Sequence, residues 1–386
     1  MSRFLFVVPP WARHVTPTVP VGVELATRGH CVAWSGHPEV VRDLLPTGAA
    51  FLPIQSAVPR LQSQGRRGPA VVRALWEDVH LPLAQDMVPG VAAAVDTFRP
   101  DVVVADQQAL AGAAVAIERR LPWVTTMASV AEVGDPVASL PLVARWIRGL
   151  LGDLLVDVGV PAGVAADVDP RFSPYLVVAF MAEALAPARG CPRGVVFVGP
   201  SLGDRPDDRH HSSVAASELG DKPLVLLDPG PLPTLATVRL LALASQALAR
   251  IGAQTALLTA ESPRANLLDR ASAVVTHGGQ ATVDEALAHG VPLVLAPLGG
   301  EQPIVASQVV SAGAGVRVKL GHLRVDDLQA AIEAAMFDPT LRAGAARVRD
   351  AGVRAGGHRV AAERMEALSA ATLTHPRTPV PRSVPA

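Results

Sequence analysis

The strongest constraint on the fold is a repeated alternation: short runs that are apolar at every position are separated by stretches that are apolar only at helical intervals. Residues 4–8, FLFVV, form the first such run. A Pro-rich turn follows, and then PTVPVGVELATRGH, whose apolar residues recur at helical spacing and whose end is marked by Gly29. CVAWSG reads as a second buried strand. The order repeats in RPDVVVADQQALAGAAVAIERRLPWVTTM, with a strand over Val102–Ala105, a loop, a helix and another strand. A strand apolar on both faces must be covered on both, and strands separated by helices pair in parallel because a parallel neighbour needs a crossover. The first half is therefore predicted to be an α/β sheet domain.

At residues 195–223, VVFVGPSLGDRPDDRHHSSVAASELGDKP, the composition shifts to Gly, Pro, Asp, Ser and His, the mark of a linker. Beyond it the alternation restarts: PLVLLDPG as strand, Thr237–Ile251 as helix, QTALLTA and SAVVTHGG as strands, Val283–Ala288 as helix and PLVLAPLGG as strand. With 386 residues the chain also exceeds the roughly 250 to 300 at which a single core stops growing. The expected fold class is α/β, with two Rossmann-like doubly wound domains facing across a cleft. The expected division is residues 1–200 as a first domain, 201–222 as linker, 223–371 as a second domain and 372–386 as a disordered tail, THPRTPVPRSVPA offering little to bury. Ligands of open α/β sheets collect at the carboxyl ends of the strands, so two such domains suit a reaction between two substrates.

Composition narrows the partners. A formal net charge of −1 supplies no basic field for a phosphate backbone, and 4% aromatics leave few platforms for bases, so no nucleic acid is expected. Cys31 and Cys191 are too few for a disulfide framework and lack the spacing of a zinc site, which suits a reducing cytoplasm. The opening MSRFLFVVPP is interrupted by Pro9, Pro10, Trp11 and Arg13 before a cleavage site could follow, and no long uncharged apolar stretch appears. A soluble, cytoplasmic chain without stable membrane insertion is expected; the oligomeric state is not legible.

The densest motif is residues 276–302, THGGQATVDEALAHGVPLVLAPLGGEQ. It places His277, Gly278 and Gly279 where a buried strand gives way to a helix, with Thr282 at the cap or in the first turn. Glycines let the backbone approach a bulky group, and the free N–H groups of a helix start favour an anion. A diphosphate fits, as does an ordinary Gly-rich turn capped by threonine. Taken whole, the stretch resembles the donor-site signature of GT-B glycosyltransferases, the nucleotide-sugar-dependent family that glycosylates small lipophilic molecules, including the bacterial macrolide-type enzymes. The similarity extends over nearly the whole chain. It implies that His277, Gly278, Gly279, Ala281 and Thr282 hold the diphosphate, that Glu285 takes the ribose hydroxyls, and that Glu301 and Gln302 hold hydroxyls of the donor sugar, for which a carboxylate and an amide offer matched acceptors and donors.

HVTPTVPVGVELATRGHCVAWSG is similar to the same family's first loop and helix, and His14 falls on the position of its catalytic base. A neutral imidazole suits proton abstraction near neutral pH, so His14 is expected at the cleft, although a lone loop histidine is otherwise a surface or capping group. The resemblance places the partner carboxylate at Asp106, at the carboxyl end of DVVVAD, whereas Asp101 lies at the wrong end; helix capping is the plainer use of Asp106.

Two stretches depart from the family pattern. LLDPGPLPTLA replaces its Ser/Thr-Gly-Ser/Thr phosphate turn: Asp228 has the wrong sign and Pro229 and Pro231 have no N–H, leaving Thr234 or Thr237 as substitutes. Between QTALLTA and SAVVTHGG only ESPRANLLDRA intervenes, so that Ser262, Pro263 and Arg264 occupy the base-packing triplet, with the Arg264 guanidinium over the base or in water. DDRHHSS, with Asp207, Asp208, His210 and His211, sits in the linker and reads as linker rather than metal site. The basic stretch from Arg60 and the apolar stretch around Trp146 fit either an acceptor pocket or ordinary solvation and packing.

The resemblance implies inverting, metal-independent transfer of a hexose or deoxyhexose, with no cofactor beyond the co-substrate, a dTDP- or UDP-sugar, to a hydroxyl of a small lipophilic acceptor. Alanine- and arginine-rich usage suggests a GC-rich bacterial genome and hence natural-product, antibiotic-type decoration. Two alternatives stay open: a catalytically silent relative acting as a binding partner, and a sugar-nucleotide epimerase of the same architecture.

Overall fold

A computed structural model describes residues 1–58, 68–134, 140–187, 191–192, 194–203, 222–230, 234–259, 262 and 264–374. The core of DDRHHSS, the basic stretch 59–67, Pro231, Pro263 and the tail from 375 fall outside them.

The fully apolar runs are strands of two parallel sheets. Among the described residues the front sheet has seven: β1 (Arg3–Val7), β2 (Cys31–Gly36), β3 (Ala50–Pro53), β4 (Val102–Asp106), β5 (Trp123–Met127), β6 (Leu176–Ala179) and β7 (Val195–Phe197), in the order β3-β2-β1-β4-β5-β6-β7. The rear sheet has five: β8 (Leu224–Leu227), β9 (Gln254–Leu257), β10 (Ala271–Thr276), β11 (Leu293–Leu295) and β12 (Gly315–Arg317), in the order β12-β11-β10-β8-β9. Every pairing is parallel; Phe4 sits opposite Val32 on one side and Val102 on the other, and Val274 opposite Leu226 and Leu293. All residues of β4, β5 and β8 are buried, as strands covered on both faces must be.

Each sheet has a core on both faces, and one core runs through both lobes: Met127, Val130, Met181 and Leu185 of the front pack with Val305, Val309 and Val348 of the rear. Helix ends follow local chemistry. The helix Leu235–Ile251 starts at Thr234, whose hydroxyl accepts from Thr237 N at 3.1 Å, and stops at the left-handed Gly252. Thr234 and Thr237 also bond each other at 2.9 Å, so these hydroxyls cap a helix instead of replacing the family's phosphate turn.

The last helix, Gly357–Thr374, departs from the domain division drawn from sequence. It leaves the rear lobe at Gly356, φ +84°, and packs on the front core through Ala361, Ala362 and Met365, all fully buried. Glu366 fixes it there, accepting from Arg28 Nη1 and bonded to His30 Nε2, each at 3.1 Å. Residues 357–371 thus belong to the front core rather than with 223–356, and helix runs to Thr374, past the residue 372 at which a tail was expected. Two lobes tied by a returning helix cannot separate without exposing apolar surface. Met365→Ala is expected to destabilise the protein by about 2–5 kcal/mol, the range for deleting a buried side chain whose site cannot collapse. Urea unfolding of the variant tests this; an unchanged midpoint would show that the helix is dispensable to the front core.

Candidate active site

Both sheets reverse their strand order beside the cleft, β1 between β2 and β4 in front and β8 between β9 and β10 behind, and crevices open at such points. In front, the chain leaves β1, turns at Pro9–Pro10 and forms the short helix Ala12–Val15, which sets His14 against the end of β4. His14 Nδ1 lies 3.0 Å from Asp106 Oδ2, both side chains being buried. Asp106 Oδ1 accepts from Gln108 N at 2.9 Å, so this acid closes the turn ahead of the helix Leu110–Glu118 as well as holding the ring. With a carboxylate at Nδ1, that nitrogen carries the hydrogen and the lone pair sits at Nε2.

The ring is not on the cavity surface. His14 is 0% exposed, and its Nε2 has no hydrogen-bond partner among the described residues. Trp11 packs on it at 5.7 Å between ring centroids, His80 lies against Trp11, and Glu132 Oε1 stands 3.7 Å from Nε2. The imidazole expected at the cleft therefore lies one side-chain layer beneath it.

Behind, β8 and β10 are followed directly by Asp228 and His277. Asp228 Oδ1 accepts from Gly230 N at 2.9 Å and Oδ2 from the Thr276 hydroxyl at 2.8 Å; that hydroxyl in turn accepts from Gly278 N at 3.1 Å. The acid that looked wrong for phosphate thus ties the two strand ends together. His277 Nδ1 is 3.9 Å from Asp228 Oδ2. Its ring leaves no room for a side chain at residue 230, where a Cβ would come within 2.6 Å of His277 Cε1, and Gly278 turns the chain at φ +90°. The helix Gln280–Ala288 begins at Gly279 with no side-chain cap, so its first N–H groups are open to a ligand. Thr282 lies in the first turn, not at the cap.

Between the lobes is a cavity of about 990 Å³. Its rear wall includes His277, Gly279, Ala281, Thr282, Glu285, Arg264, Glu301 and Gln302; Gly278, His14 and Asp106 lie behind the surface. Its front wall is mostly apolar, with Trp11, Val72, Trp76, Val79, Leu110 and Ile147. Trp76 and His80 come from a π-helical turn, Trp76–His80, and burial pushes the His80 imidazole down to about 4, so it is neutral at pH 7. Ile147, not Trp146, is the contribution of the helix Pro141–Asp157.

Several expected donor-site side chains have protein partners. Arg264 Nε donates to Glu285 Oε2 at 2.6 Å and its Nη2 reaches the Thr282 hydroxyl at 3.5 Å, so the guanidinium is held at the cavity wall by an ion pair. The cause is local: the first turn of the helix Arg264–Arg270 faces an acid one turn into the helix Gln280–Ala288. Gln302 Oε1 accepts from Leu298 N at 2.8 Å and Gly299 N at 3.3 Å, which holds the Gly-Gly turn, and Glu301 pairs across the cleft with Arg13. Sequence reasoning missed Glu132, although Ser129 to Glu132 spell a capping box, and also missed Gln280. The latter crosses between lobes: its Oε1 lies 3.2 Å from Val130 N and 3.4 Å from the Ser129 hydroxyl, while its Nε2 donates to Asp284 Oδ1 at 2.8 Å. Among the described residues no cluster of three His, Cys, Asp or Glu forms a metal site, and no helix is long and apolar enough to cross a membrane.

Asp284 stands on the wall of a second cavity of about 430 Å³, and desolvation holds its carboxyl well above the ordinary carboxylate range. The folded state therefore favours the protonated acid, and stability falls as pH rises from about 4 through the raised folded value. Asp284→Asn keeps the acceptor for Gln280. It is expected to raise Tm at pH 7 by a few degrees, roughly the shift for 1 kcal/mol, with the gain vanishing below about pH 4. A gain that persisted at acid pH would contradict this account of the carboxyl.

Comparison with known proteins bears on what this arrangement does. Residues 246–349 match the family described as UDP-glucoronosyl and UDP-glucosyl transferase. The chain is 29% identical to 4'-demethylrebeccamycin synthase of Lentzea aerocolonigenes, over 90% of this chain and 95% of that one. It is 27% identical to L-demethylnoviosyl transferase of Streptomyces niveus, over 95% and 98%. Among solved structures, the glycotransferase of kitacinnamycin superposes with a TM-score of 0.76 at 24% identity, covering 95% of this chain and 99% of that one. Two parallel-sheet lobes facing across a cavity, a histidine–aspartate pair in front and a glycine-led helix start behind thus occur in a chain that shares the fold of the kitacinnamycin glycotransferase and is similar over nearly its full length to bacterial natural-product glycosyltransferases.

Proposed function

We propose that the protein moves a hexose or deoxyhexose from a dTDP- or UDP-sugar to a hydroxyl of a small lipophilic acceptor, with inversion at the sugar carbon and without metal or other cofactor. The observation that carries this reading is the 3.0 Å His14–Asp106 pair beneath the front wall of a cavity whose rear wall is the uncapped helix start at Gly279. His14 Nε2 takes the proton of the acceptor hydroxyl as its oxygen attacks the sugar carbon. The bond from that carbon to the diphosphate breaks, and its electron pair leaves with the phosphate oxygen. Asp106 keeps the ring in the required tautomer and offsets its new charge. The first N–H groups of the helix Gln280–Ala288 receive the departing anion, with His277 beside them, work that a bound cation would otherwise do. Because Trp11 packs over His14, the acceptor displaces that ring as it enters.

The apolar front wall with Trp11, Trp76 and Ile147 favours a lipophilic acceptor. One relative is a 4'-demethylrebeccamycin synthase and another an L-demethylnoviosyl transferase, and a comparable natural-product role is proposed here. A cytoplasmic location suits a reaction that draws on nucleotide sugars. The silent-relative alternative loses ground because the His14–Asp106 pair is intact, and the epimerase alternative because an apolar wall of this extent has no use where no acceptor binds.

A panel of dTDP- and UDP-sugars with aromatic and macrolactone aglycones tests the proposal. Wild type is expected to form an inverted glycoside, and His14→Ala to lose about 10²–10⁴-fold in kcat, the usual range for a general base, while keeping its affinity for the nucleoside diphosphate. Unchanged transfer by that variant would remove the base assignment, and absence of stabilisation by any nucleoside diphosphate would remove the enzyme reading itself.

A further inference from the structure

We infer that Glu132 is a second positioning carboxylate for His14, stabilising from the Nε2 side the imidazolium that forms when the acceptor loses its proton. The inference rests on the reading of His14 as the base and goes beyond it.

Glu132 belongs to the short helix Val130–Val133, and its carboxylate is buried at the cavity wall. Its Oε2 accepts from Ala128 N at 2.8 Å and Ser129 N at 3.2 Å. Its Oε1 accepts from the Gln108 side-chain amide and stands 3.7 Å from His14 Nε2. A capping-box glutamate on a surface helix stays in water at little cost; this one is drawn inside, and burial pushes its carboxyl above the usual carboxylate range. The extra function that a buried acid can serve here follows from proton counting. Asp106 occupies Nδ1–H, so in the neutral ring the Nε2 lone pair faces the Glu132 oxygen, an arrangement without attraction. It becomes attractive once Nε2 gains a proton, and in the transfer step that proton comes from the acceptor hydroxyl. The interaction is therefore present in the transition state and absent from the ground state, which is the condition for lowering a barrier.

The position of Glu132 also depends on the rear lobe. Gln280, the first residue of the helix proposed to receive the diphosphate, holds Ser129 and Val130 at the start of the glutamate's own helix. The groups facing His14 are Asp106 from the end of β4, Glu132, His80 from the π turn, and Arg13 beside it in the chain; Arg171 acts on His80.

Glu132→Gln and Glu132→Asp, compared with Ser129→Ala, provide the test. E132Q removes the charge and is expected to lower kcat roughly ten- to hundredfold at unchanged nucleotide affinity, the scale of one electrostatic contact to a developing charge. The acid limb of its kcat profile moves to lower pH, because an imidazolium without its second anion gives up its proton more readily. E132D keeps the charge and recovers part of the loss. Ser129→Ala removes the reciprocal half of the same cap, so a purely structural Glu132 would make it equivalent to E132Q. Equal kinetics and equal losses of Tm for those two, or an unmoved pH profile in E132Q, would overturn the inference while leaving the His14 result intact. Should E132Q unfold, E132D carries the test: a carboxylate drawn back from the ring must reduce kcat with Tm held, and wild-type kcat would refute the role.

Discussion

A buried carboxylate at the end of one rear strand holds the turn on which the donor side depends. Asp228 joins Gly230 to Thr276, Thr276 in turn holds Gly278, and the chain is delivered to Gly279 with the following helix start uncapped. A cap such as Ser or Asp at residue 279 would satisfy those N–H groups internally and fill the place where an anion is to sit. Glycine there, with Gly278 in a backbone conformation that side chains rarely adopt, leaves the first N–H groups of the helix without a side-chain cap, as the proposed role requires. Asp228 thus orders the two strand ends instead of facing a phosphate.

The two lobes carry the same pair of residue types at their switch points and use them differently. In front, His14 and Asp106 are 3.0 Å apart and buried; behind, His277 and Asp228 are 3.9 Å apart, with the acid committed to backbone and threonine. Closeness and burial couple the front pair as a base and its orienter, while the rear histidine remains at the cavity wall. Gln280 and the Arg13–Glu301 pair span the lobes on either side, so in the proposed reaction the geometry of each half is communicated to the other through direct contacts. Burial penalises charge in this space, which raises the Glu132 carboxyl and lowers the His80 imidazole.

Much of this was legible in the sequence, because strands apolar on every residue leave few architectures open. Parallel pairing, two lobes, and the placement of His277 to Thr282 at a strand-to-helix turn all follow from patterns within a few dozen residues. What escaped depends on contacts between distant segments. That Gly357–Thr374 returns to the front core depends on Ala361, Ala362 and Met365 meeting core residues between Phe4 and Val198, far earlier in the chain. The ion pair of Arg264 was not foreseen because its partner, Glu285, lies in another helix. Asp228 was judged by charge alone, whereas its hydrogen bonds decide its role. His14 was expected at the cleft surface, and the layer above it comes from Trp11, the π turn at His80 and a capping box at Glu132, which no local pattern brings together.

The central claim is that an anionic leaving group is received by the main chain where β10 passes into the helix Gln280–Ala288. Amide-resolved NMR of the isotopically labelled protein, titrated with dTDP or UDP, tests it most directly. The account predicts that the largest saturable shifts fall on the N–H signals of Gly279 to Thr282, and that the nucleoside without its phosphates leaves them in place. Saturable binding that left those four amides unmoved and shifted others instead would contradict it.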